Sequence, residues 1–470
     1  MNVDIPVLKR DIRRIFVANR GEIAVRIIRA CKALGIETVV GVSEADAASL
    51  GAKIADLSVL IGAATASESY LRVERLIEAA KNAQCDAIHP GYGFLAERSA
   101  FARACKDAGL VFIGPDADVI AAMGDKIAAN ALASDAGVPR VRGSGALSSV
   151  ADAKAFAADI GYPVLVKASA GGGGRGMRVV SSADEMESAF QSAAIEAHAA
   201  FGNSTLFVEK FVERARHIEI QVMGDEFGNV VHLGERDCST QRRHQKLIEE
   251  APSPVVTPKI REEMGECAVR LAKKVGYTGA GTVEFVYDDD DGAFYFLEMN
   301  TRIQVEHPVT EMISGYDLVA EQIRIACGLP LSFSQDEVQL SGHSIECRIN
   351  AEDSDENFLP RSGVITAWRE PVGGGIRVDT HCYEGYVVPP YYDSLLGKVI
   401  VHTGDRNQAI ALMIEALENF EVSGIPTTIP FHQRVLRHAD FLDAKVTTQW
   451  VEQNYLPARE AAKKTASDGQ

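Results

Sequence analysis

A run of polar residues directly follows an apolar strand pattern in the middle of this chain. Residues 294–297 read Phe-Tyr-Phe-Leu, which is typical of a strand, and the next ten residues read Glu-Met-Asn-Thr-Arg-Ile-Gln-Val-Glu-His. Because alternate side chains of a strand point to one side, a continued strand would place five polar groups on one face. They are Glu298, Asn300, Arg302, Gln304 and Glu306. A hydrophobic core would leave such groups unpaired, so this face predicts a site for Mg²⁺, phosphate and a small anion.

A second carboxylate lies on the preceding strand pattern. Glu284 interrupts the otherwise apolar residues 281–286, and four aspartates and Gly292 then predict a turn. If Tyr287 lies opposite Ala293, Glu284 sits diagonally from Glu298, at about 7–8 Å. Two such carboxylates repel unless a cation lies between them, which predicts a metal ion shared with nucleotide phosphates. The alternative is a pair of exposed glutamates on an edge strand.

A glycine-rich loop separates two further strand patterns, at residues 163–167 and 177–180. Residues 171–176 read Gly-Gly-Gly-Gly-Arg-Gly, and Lys167 and Arg175 supply positive charge beside them. Free backbone N–H groups of such a loop can surround phosphate oxygens. No Gly-Lys-Ser/Thr and no helix follow, so the loop is neither a P-loop nor a dinucleotide fingerprint. We therefore expect a flap that closes over ATP, the alternative being a flexible linker.

Several other polar residues leave two interpretations open. Residues 238–246 concentrate positive charge in an acidic chain, as either a solvated charge run or a polyanion site. Arg348 stands alone in an apolar strand pattern, either as a functional cation or in a buried salt bridge to Glu346 or Glu352. Tyr92 and His217, taken alone, are most often structural.

Composition and order along the chain limit the class of protein. The 470 residues predict about three domains, and the first third alternates strand and helix as in a parallel βαβ sheet. The net charge of −17 argues against broad nucleic-acid binding. Eight dispersed cysteines show no Cys-x-x-Cys pair, and no apolar run approaches the ~20 residues of a membrane span. The N-terminus lacks the apolar core of a signal peptide, so we expect a soluble, cytoplasmic protein without nucleic-acid or membrane partners.

Six motifs together resemble the biotin carboxylase family, the ATP-grasp component of biotin-dependent carboxylases. They occupy residues 18–24, 89–95, 167–176, 242–246, 298–307 and 348–353, and the resemblance extends over about residues 15–455. It implies an α/β and α+β fold of three domains: a Rossmann-like N-terminal domain at 12–124, an ATP-grasp domain with a glycine-rich lid at 125–335, and a biotin carboxylase C-terminal domain at 336–455. Residues 456–470 are expected to be a disordered tail.

The resemblance also implies an activity and a set of site residues. The expected reaction uses ATP, bicarbonate and Mg²⁺ (or Mn²⁺) to carboxylate biotin on a separate carrier protein. The expected ATP contacts are Lys126, Lys167, Gly173, Gly174, Glu209, Lys210, Val212, His217, His244, Glu284 and Glu298. The expected metal ligands are Glu284, Glu298 and Asn300, and the bicarbonate contacts are Lys246, Arg302, Gln304 and the Val305 backbone. The expected catalytic groups are Lys246, Arg302, the base Glu306 and the enolate stabiliser Arg348, and the biotin pocket is Tyr92, Arg348 and Asp393.

No biotin-attachment motif and no carboxyltransferase segment occur in the chain. The biotin carboxyl carrier protein and the carboxyltransferase are therefore expected as separate partners, with this chain in a homodimer or larger complex. A first alternative is an ATP-grasp ligase of the carbamoyl-phosphate synthase type, which lacks the combination of Arg302, Glu306 and Arg348. A second is an NAD-binding oxidoreductase or scaffold, which the missing Gly-x-Gly-x-x-Gly after the first strand disfavours.

Overall fold

The computed structural model describes residues 10–147, 149–168, 177–201 and 204–459. The chain packs into two compact units. One comprises residues up to 138, 216–285 and 297 onward, and the other comprises residues 139–215 and 286–296. The predicted glycine flap at 171–176 and most of the predicted tail, from residue 460 onward, lie outside the described residues.

The N-terminal part of the first unit is a parallel sheet with helices between its strands, as the alternating sequence pattern predicts. Within the described residues the strand order is β3-β2-β1-β4-β5, and each neighbouring pair is parallel. The strands are β1 Arg14–Val17, β2 Glu37–Ser43, β3 Leu57–Gly62, β4 Ala87–His89 and β5 Val111–Phe112. The helices are α1 Gly21–Ala33, α2 Leu50–Ile54, α3 Val73–Asn82, α4 Ser99–Asp107, α5 Ala117–Gly124 and α6 Lys126–Asp135. Helix α1 buries Ile23, Ile27 and Ile28 against the sheet, which explains its helical spacing of apolar residues.

The second unit has a small antiparallel sheet, ordered β7-β6-β8, covered by two helices. Its elements are α7 Val150–Ile160, β6 Val164–Ala168, β7 Met177–Val180, α8 Met186–Phe201 and β8 Leu206–Lys210. Val164, Val166 and Val208 point into its core, so the strands bury alternate residues as expected for one-sided packing.

An eight-stranded sheet organises the rest of the described chain, in the order β13-β12-β9-β10-β11-β14-β21-β19. Its first strands are β9 Ala215–Gly224, β10 Val230–Arg242, β11 Gln245–Ala251, β12 Gly279–Asp288 and β13 Phe294–Asn300. The same sheet also contains β14 His343–Asn350, β19 Ile376–Thr380 and β21 Leu395–Thr403. The remaining short strands pair in separate two-stranded sheets: β15 Glu352–Asp353 with β16 Leu359–Pro360, β17 Gly363–Val364 with β20 Val387–Val388, and β18 Ala367–Arg369 with β22 Glu421–Ser423. The remaining helices are α9 Pro258–Lys274, α10 His307–Ser314, α11 Leu318–Ala326, α12 Arg406–Glu418, α13 Ile429–Val435 and α14 Ala439–Leu442.

The C-terminal core lies on one face of strands β14 and β21. Ile345, Val399 and Val401 pack there with Met413 and Phe431 from helices α12 and α13. The opposite side chains of the same strands are available to carry charged groups, because neighbouring residues of a strand point to opposite faces.

Three expectations about local structure are wrong. Strand β13 ends at Asn300, so Arg302, Gln304 and Glu306 lie in the loop before α10 rather than on an extended strand. The amide of Asp288 donates to the Ala293 carbonyl at 2.7 Å, so the turn register differs by one residue from a Tyr287–Ala293 pair. Gly292, at φ 74°, accommodates the extra residue of this turn.

The third concerns the start of the tail. Residues 456–459 continue the π-helical turn Val451–Tyr455 as helix, and the Arg459 guanidinium donates to the Ser354 carbonyl at 3.3 Å. Helical structure therefore extends four residues beyond the expected end at 455, because Arg459 has a partner to hold it.

All eight cysteines are reduced and buried. Burial raises the pKa of Cys31 and Cys105 to about 12, so these thiols stay protonated. No helix within the described ranges combines the length and the apolar character needed to cross a bilayer.

Candidate functional site

The ammonium of Lys246 lies among three buried carboxylates contributed by separate strands and a loop. Its Nζ is 2.6 Å from Glu219 on β9, 3.1 Å from Glu284 on β12 and 2.6 Å from Glu306 in the loop before α10. Burial favours the neutral amine, but the three negative charges outweigh it and raise the pKa of Lys246 well above its usual value. Three carboxylates therefore surround the Lys246 ammonium and hold it in place.

The Glu306 carboxylate is shared by two cations. One oxygen accepts from Lys246 and the other accepts from Arg348 Nη2 at 2.9 Å. Burial opposes ionisation, but the positive charges of Lys246 and Arg348 hold the pKa of Glu306 below its usual value. Glu306 is therefore ionised at neutral pH and able to accept a proton.

Arg348 is held by a residue that the sequence pattern did not single out. Its Nε donates to Glu249 on the neighbouring strand β11 at 2.6 Å. Glu346, one of the two acids expected for a salt bridge, has no hydrogen-bond partner for either carboxylate oxygen among the described residues. The partners of Arg348 are thus Glu249 and the predicted base Glu306, which places its guanidinium at the site.

Gln304 and Glu219 are both held by a completely buried arginine, Arg236. Its guanidinium donates to Glu219 Oε1 at 2.6 Å and to the Gln304 carboxamide oxygen at 2.7 Å. The Gln304 amide nitrogen then donates to Glu284 at 2.7 Å and to Glu219 at 3.4 Å. Arg236 on β10 and Glu219 on β9 were not predicted, because no recognised motif contains them, although a charged residue in a buried strand is itself a signal.

Arg302 lies beside Asn300 and an exposed acid from the N-terminal part, Glu97. Its Nη2 donates to the Asn300 side-chain oxygen at 3.1 Å, and its Nε donates to Glu97 at 2.9 Å. Asn300 in turn donates its amide N–H to Glu284 at 2.8 Å. Asn300 therefore connects the Arg302 cation with the Glu284 carboxylate.

The Glu298 carboxylate lies on the wall of a cleft of about 410 Å³ that Glu97, Lys126 and Asn300 also line. Partial burial, and then the negative charge of Glu284, raises the pKa of Glu298. The two carboxylates therefore repel each other, although strand register alone does not bring them together. Two carboxylates that repel each other are hard oxygen donors, which fits Mg²⁺, whereas Asn300 turns its amide N–H to Glu284 and its oxygen to Arg302.

The two predicted nucleotide histidines differ in their surroundings. His217 Nε2 lies 3.2 Å from Glu284, and although burial favours the neutral ring, this carboxylate raises the pKa of His217 to about 9. His217 is thus an ion-paired cation rather than a neutral core residue. His244 lies at the exposed tip of the β10–β11 hairpin with a positive φ of 64°, and Arg243 before it has φ 48°. Two consecutive non-glycine residues in the left-handed region store strain at this tip.

Two predicted biotin-pocket residues, Tyr92 and Asp393, and the Val305 backbone each have a defined hydrogen-bond partner. The Tyr92 hydroxyl donates to the buried carboxylate of Glu22, and the Val305 carbonyl accepts from Lys398 Nζ at 2.6 Å. Asp393 is exposed, and its carboxylate accepts from the Leu395 amide at 3.1 Å.

The other predicted nucleotide contacts belong to the second unit. Lys167 on β6 pairs with Glu209 on β8 at 2.5 Å, and Lys210 donates to the carbonyls of Gly161 and Tyr162 at 3.2 and 3.1 Å. Val212 is buried. Gly173 and Gly174 lie outside the described residues.

Three family models together match nearly the whole chain. Biotin carboxylase, N-terminal domain, matches residues 11–120, and Biotin carboxylase C-terminal domain matches residues 346–453. Between them, Carbamoyl-phosphate synthase L chain, ATP binding domain, matches residues 125–334.

Similar proteins of known name cover the same span. Biotin carboxylase 1 of Bacillus subtilis is 52% identical over 442 residues, which are 94% of this chain and 98% of the relative. The 2-oxoglutarate carboxylase small subunit of Hydrogenobacter thermophilus is 50% identical over 94% of this chain and 93% of its own length.

Solved structures agree. The biotin carboxylase domain dimer of Hydrogenobacter thermophilus 2-oxoglutarate carboxylase, in complex with MgADP, ADP and bicarbonate, has a TM-score of 0.87 and 50% identity, with 94% of this chain and 97% of that chain covered. A biotin carboxylase–β,γ-ATP complex from Campylobacter jejuni has a TM-score of 0.89 and 49% identity, with 94% of this chain and 99% of that chain covered.

Proposed function

The chain belongs to the biotin carboxylase family, and we propose how its residues carry out the ATP- and bicarbonate-dependent carboxylation of biotin. The observation that carries the proposal is the Glu306 carboxylate, which is bound by Lys246 on one oxygen and by Arg348 on the other. This arrangement joins a proton acceptor to two cations that can each bind an anionic reactant. It suits a reaction in which a small anion is first deprotonated and then transferred.

We assign bicarbonate to Lys246, Arg302, Gln304 and the Val305 backbone. Lys246 and Arg302 offset the negative charge of the anion, and Gln304 presents an amide whose orientation Arg236 fixes. Bicarbonate is a weak nucleophile and needs a base. Glu306 takes the proton from the bicarbonate hydroxyl while the bicarbonate oxygen attacks the γ-phosphorus of ATP. The bond to the leaving ADP breaks in the same transfer, and the product is carboxyphosphate.

We assign Mg²⁺, or Mn²⁺, to Glu284 and Glu298, with Asn300 beside them. When bound, the metal would offset the charge of the nucleotide phosphates during phosphoryl transfer. The two carboxylates repel each other, which a cation would relieve. Lys126, on the same cleft as Glu298, is positioned to bind a phosphate oxygen.

We assign biotin to Arg348, with Tyr92 and Asp393. An arginine keeps its charge at any working pH, so Arg348 can stabilise the negative oxygen of the biotin enolate. The C–O bond of carboxyphosphate breaks to give CO₂ and phosphate, the phosphate takes the N–H proton of biotin, and the biotin nitrogen bonds to the carbon of CO₂. Because Arg348 also binds Glu306, the enolate stabiliser and the bicarbonate base lie within one hydrogen bond of each other.

The nucleotide contacts of Lys167, Gly173, Gly174, Glu209, Lys210, Val212, His217 and His244 stay a prediction, as do the domain limits at 124 and 335 and the cytoplasmic location. Relatives are subunits of biotin-dependent carboxylases. We propose that a biotin carboxyl carrier protein and carboxyltransferase subunits are separate partners here as well, in a homodimer or larger complex.

The test is ATP hydrolysis by the purified chain with Mg²⁺, with and without bicarbonate, and with and without free biotin. We expect bicarbonate-dependent hydrolysis that biotin stimulates, and transfer of ¹⁴C-labelled carboxylate to biotin. Glu306→Gln should abolish both, because the amide cannot accept the proton. Indifference to biotin in the unsubstituted chain would instead favour a ligase of the carbamoyl-phosphate synthase type, although that family model covers only residues 125–334.

A further inference from the structure

Lys398 is a lysine with no exposed surface, placed directly beside the site. It lies on β21, opposite Arg348 of β14 and opposite Asp379 of β19. Residues paired in this way share a face of the sheet, so Lys398 and Arg348 point to the same side. A buried ammonium requires partners for its three N–H groups.

The first partner of Lys398 belongs to the loop that carries the proposed bicarbonate contacts. Its Nζ donates to the Val305 carbonyl at 2.6 Å. Val305 directly precedes Glu306 and follows Gln304. A charge-assisted bond to this carbonyl therefore fixes the peptide between the two side chains that face the anion.

The second partner leads to the proposed biotin pocket. Lys398 Nζ lies 3.3 Å from Glu22 Oε1, in the first turn of helix α1. The same Glu22 oxygen accepts from the Tyr92 hydroxyl. Asn19 holds the loop that contains Tyr92 by donating to the Pro90 and Tyr92 carbonyls at 2.6 and 2.7 Å. Glu22 is thus shared between Lys398 and Tyr92.

We propose that Lys398 is a positioning residue that ties the bicarbonate loop at Val305 to the biotin-pocket tyrosine Tyr92 through Glu22. The inference rests on the proposed function. Lys398 touches neither reactant; it acts through the Val305 carbonyl and the Glu22 carboxylate. Its loss should therefore affect the two small substrates together and leave ATP binding unchanged.

Burial favours the neutral amine, but Glu22, Glu346 and Asp379 raise the pKa of Lys398. The ammonium charge is therefore kept through the pH range of the assay. Replacement by a neutral side chain of similar length removes both the donor to Val305 and the counter-charge to Glu22.

The test compares steady-state KM values for bicarbonate, biotin and ATP in Lys398→Met and the unsubstituted chain. We expect KM for bicarbonate and KM for biotin each to rise about tenfold, as for the loss of one charge-assisted hydrogen bond, with KM for ATP unchanged. In a double-mutant cycle, Tyr92→Phe combined with Lys398→Met should be less than additive on KM for biotin, because both act on Glu22. Adding Tyr92→Phe to Lys398→Met should not change KM for bicarbonate any further.

Arg261→Met is the matched control for the loss of an ion pair to a buried acid. Arg261 Nε lies 2.6 Å from Glu235, and Glu235 points to the opposite face of β10 from Arg236. We expect this variant to melt earlier without any change in KM. A purely structural role for Lys398 would be indicated if both variants behaved alike, or if Lys398→Met raised all three KM values equally; either result overturns the inference.

A second variant keeps the inference testable if Lys398→Met does not fold. Glu22→Gln preserves the shape and removes the charge between Lys398 and Tyr92. It should raise KM for biotin, and an unchanged value overturns the inference. Absence of biotin-stimulated hydrolysis in the unsubstituted chain would contradict the proposed function itself, which separates the two failures.

Discussion

The carboxamide oxygen of Gln304 accepts a hydrogen bond from the buried guanidinium of Arg236 at 2.7 Å. This bond decides which end of the carboxamide faces the carboxylate of Glu284. Arg236 also holds Glu219, one of the three carboxylates around Lys246. The buried Arg236 therefore determines whether Gln304 presents a donor or an acceptor to the site.

Arg236→Met should destabilise the fold strongly, because it leaves Glu219 and Gln304 buried without their cation. Breaking a buried pair by removing one partner costs about 3–5 kcal/mol. Thermal denaturation followed by circular dichroism measures the loss. Arg214→Met is the control, since Arg214 is 51% exposed in its pair with Asp289 and should cost about 1 kcal/mol or less. Equal melting temperatures for the two variants would contradict the prediction.

Glu298→Gln should weaken the dependence of turnover on Mg²⁺. The amide has one neutral oxygen in place of a carboxylate, so the Mg²⁺ concentration for half-maximal activity should rise by at least about tenfold. Magnesium titration of the bicarbonate-dependent ATPase measures it. Glu74→Gln removes the charge of a carboxylate whose side chain is 77% exposed and should leave the titration unchanged. Near-normal magnesium dependence of Glu298→Gln would refute the metal assignment.

Arg348→Ala should impair biotin carboxylation more than the bicarbonate-dependent ATPase. The same substitution removes a positive charge from Glu306, so the pKa of Glu306 should rise. The acid limb of the pH–rate profile for the ATPase should therefore move to higher pH. Rates measured across pH, with and without biotin, check both effects. Equal losses in the two reactions with an unmoved acid limb would mean that Arg348 is only structural.

His217 should contribute stability that disappears in alkali. Its pKa is raised to about 9 by Glu284, so the folded state favours the protonated ring. The contribution is fully present below the unfolded value of about 6.5 and is lost as pH rises through about 9. Melting temperatures of the unsubstituted chain and His217→Asn should differ most below pH 6.5 and converge above pH 9. A difference that is the same at pH 6 and pH 9.5 would exclude this ionisation.

Sequence patterns predict the parallel N-terminal sheet and the central strands well, because these segments bury apolar residues with regular spacing. Strand β7 is observed at its predicted limits, residues 177–180. Local periodicity fails where the chain leaves regular structure. Alternating polar residues predict that β13 continues to Glu306, whereas the strand ends at Asn300. The polar side chains after it lie on a loop that Lys398 and Arg236 hold by hydrogen bonds.

Individual site partners are harder to predict than the site itself. Sequence proximity suggests a salt bridge from Arg348 to a nearby acid, whereas the observed Glu249 lies 99 positions away. The pairing of β11 with β14 produces this contact, and no single-strand pattern contains that information. Glu284 and Glu298 do influence each other, but the register expected for their hairpin is one residue off.

The burial of all eight cysteines has a practical consequence for spectroscopy. Thiols that are both buried and protonated react slowly with maleimides, so dyes should label the natural cysteines only slowly. A single cysteine introduced on an exposed helix can then carry a fluorophore without first replacing the natural ones. Two such cysteines that carry a donor and an acceptor dye would make distance changes during turnover measurable with the natural cysteines in place.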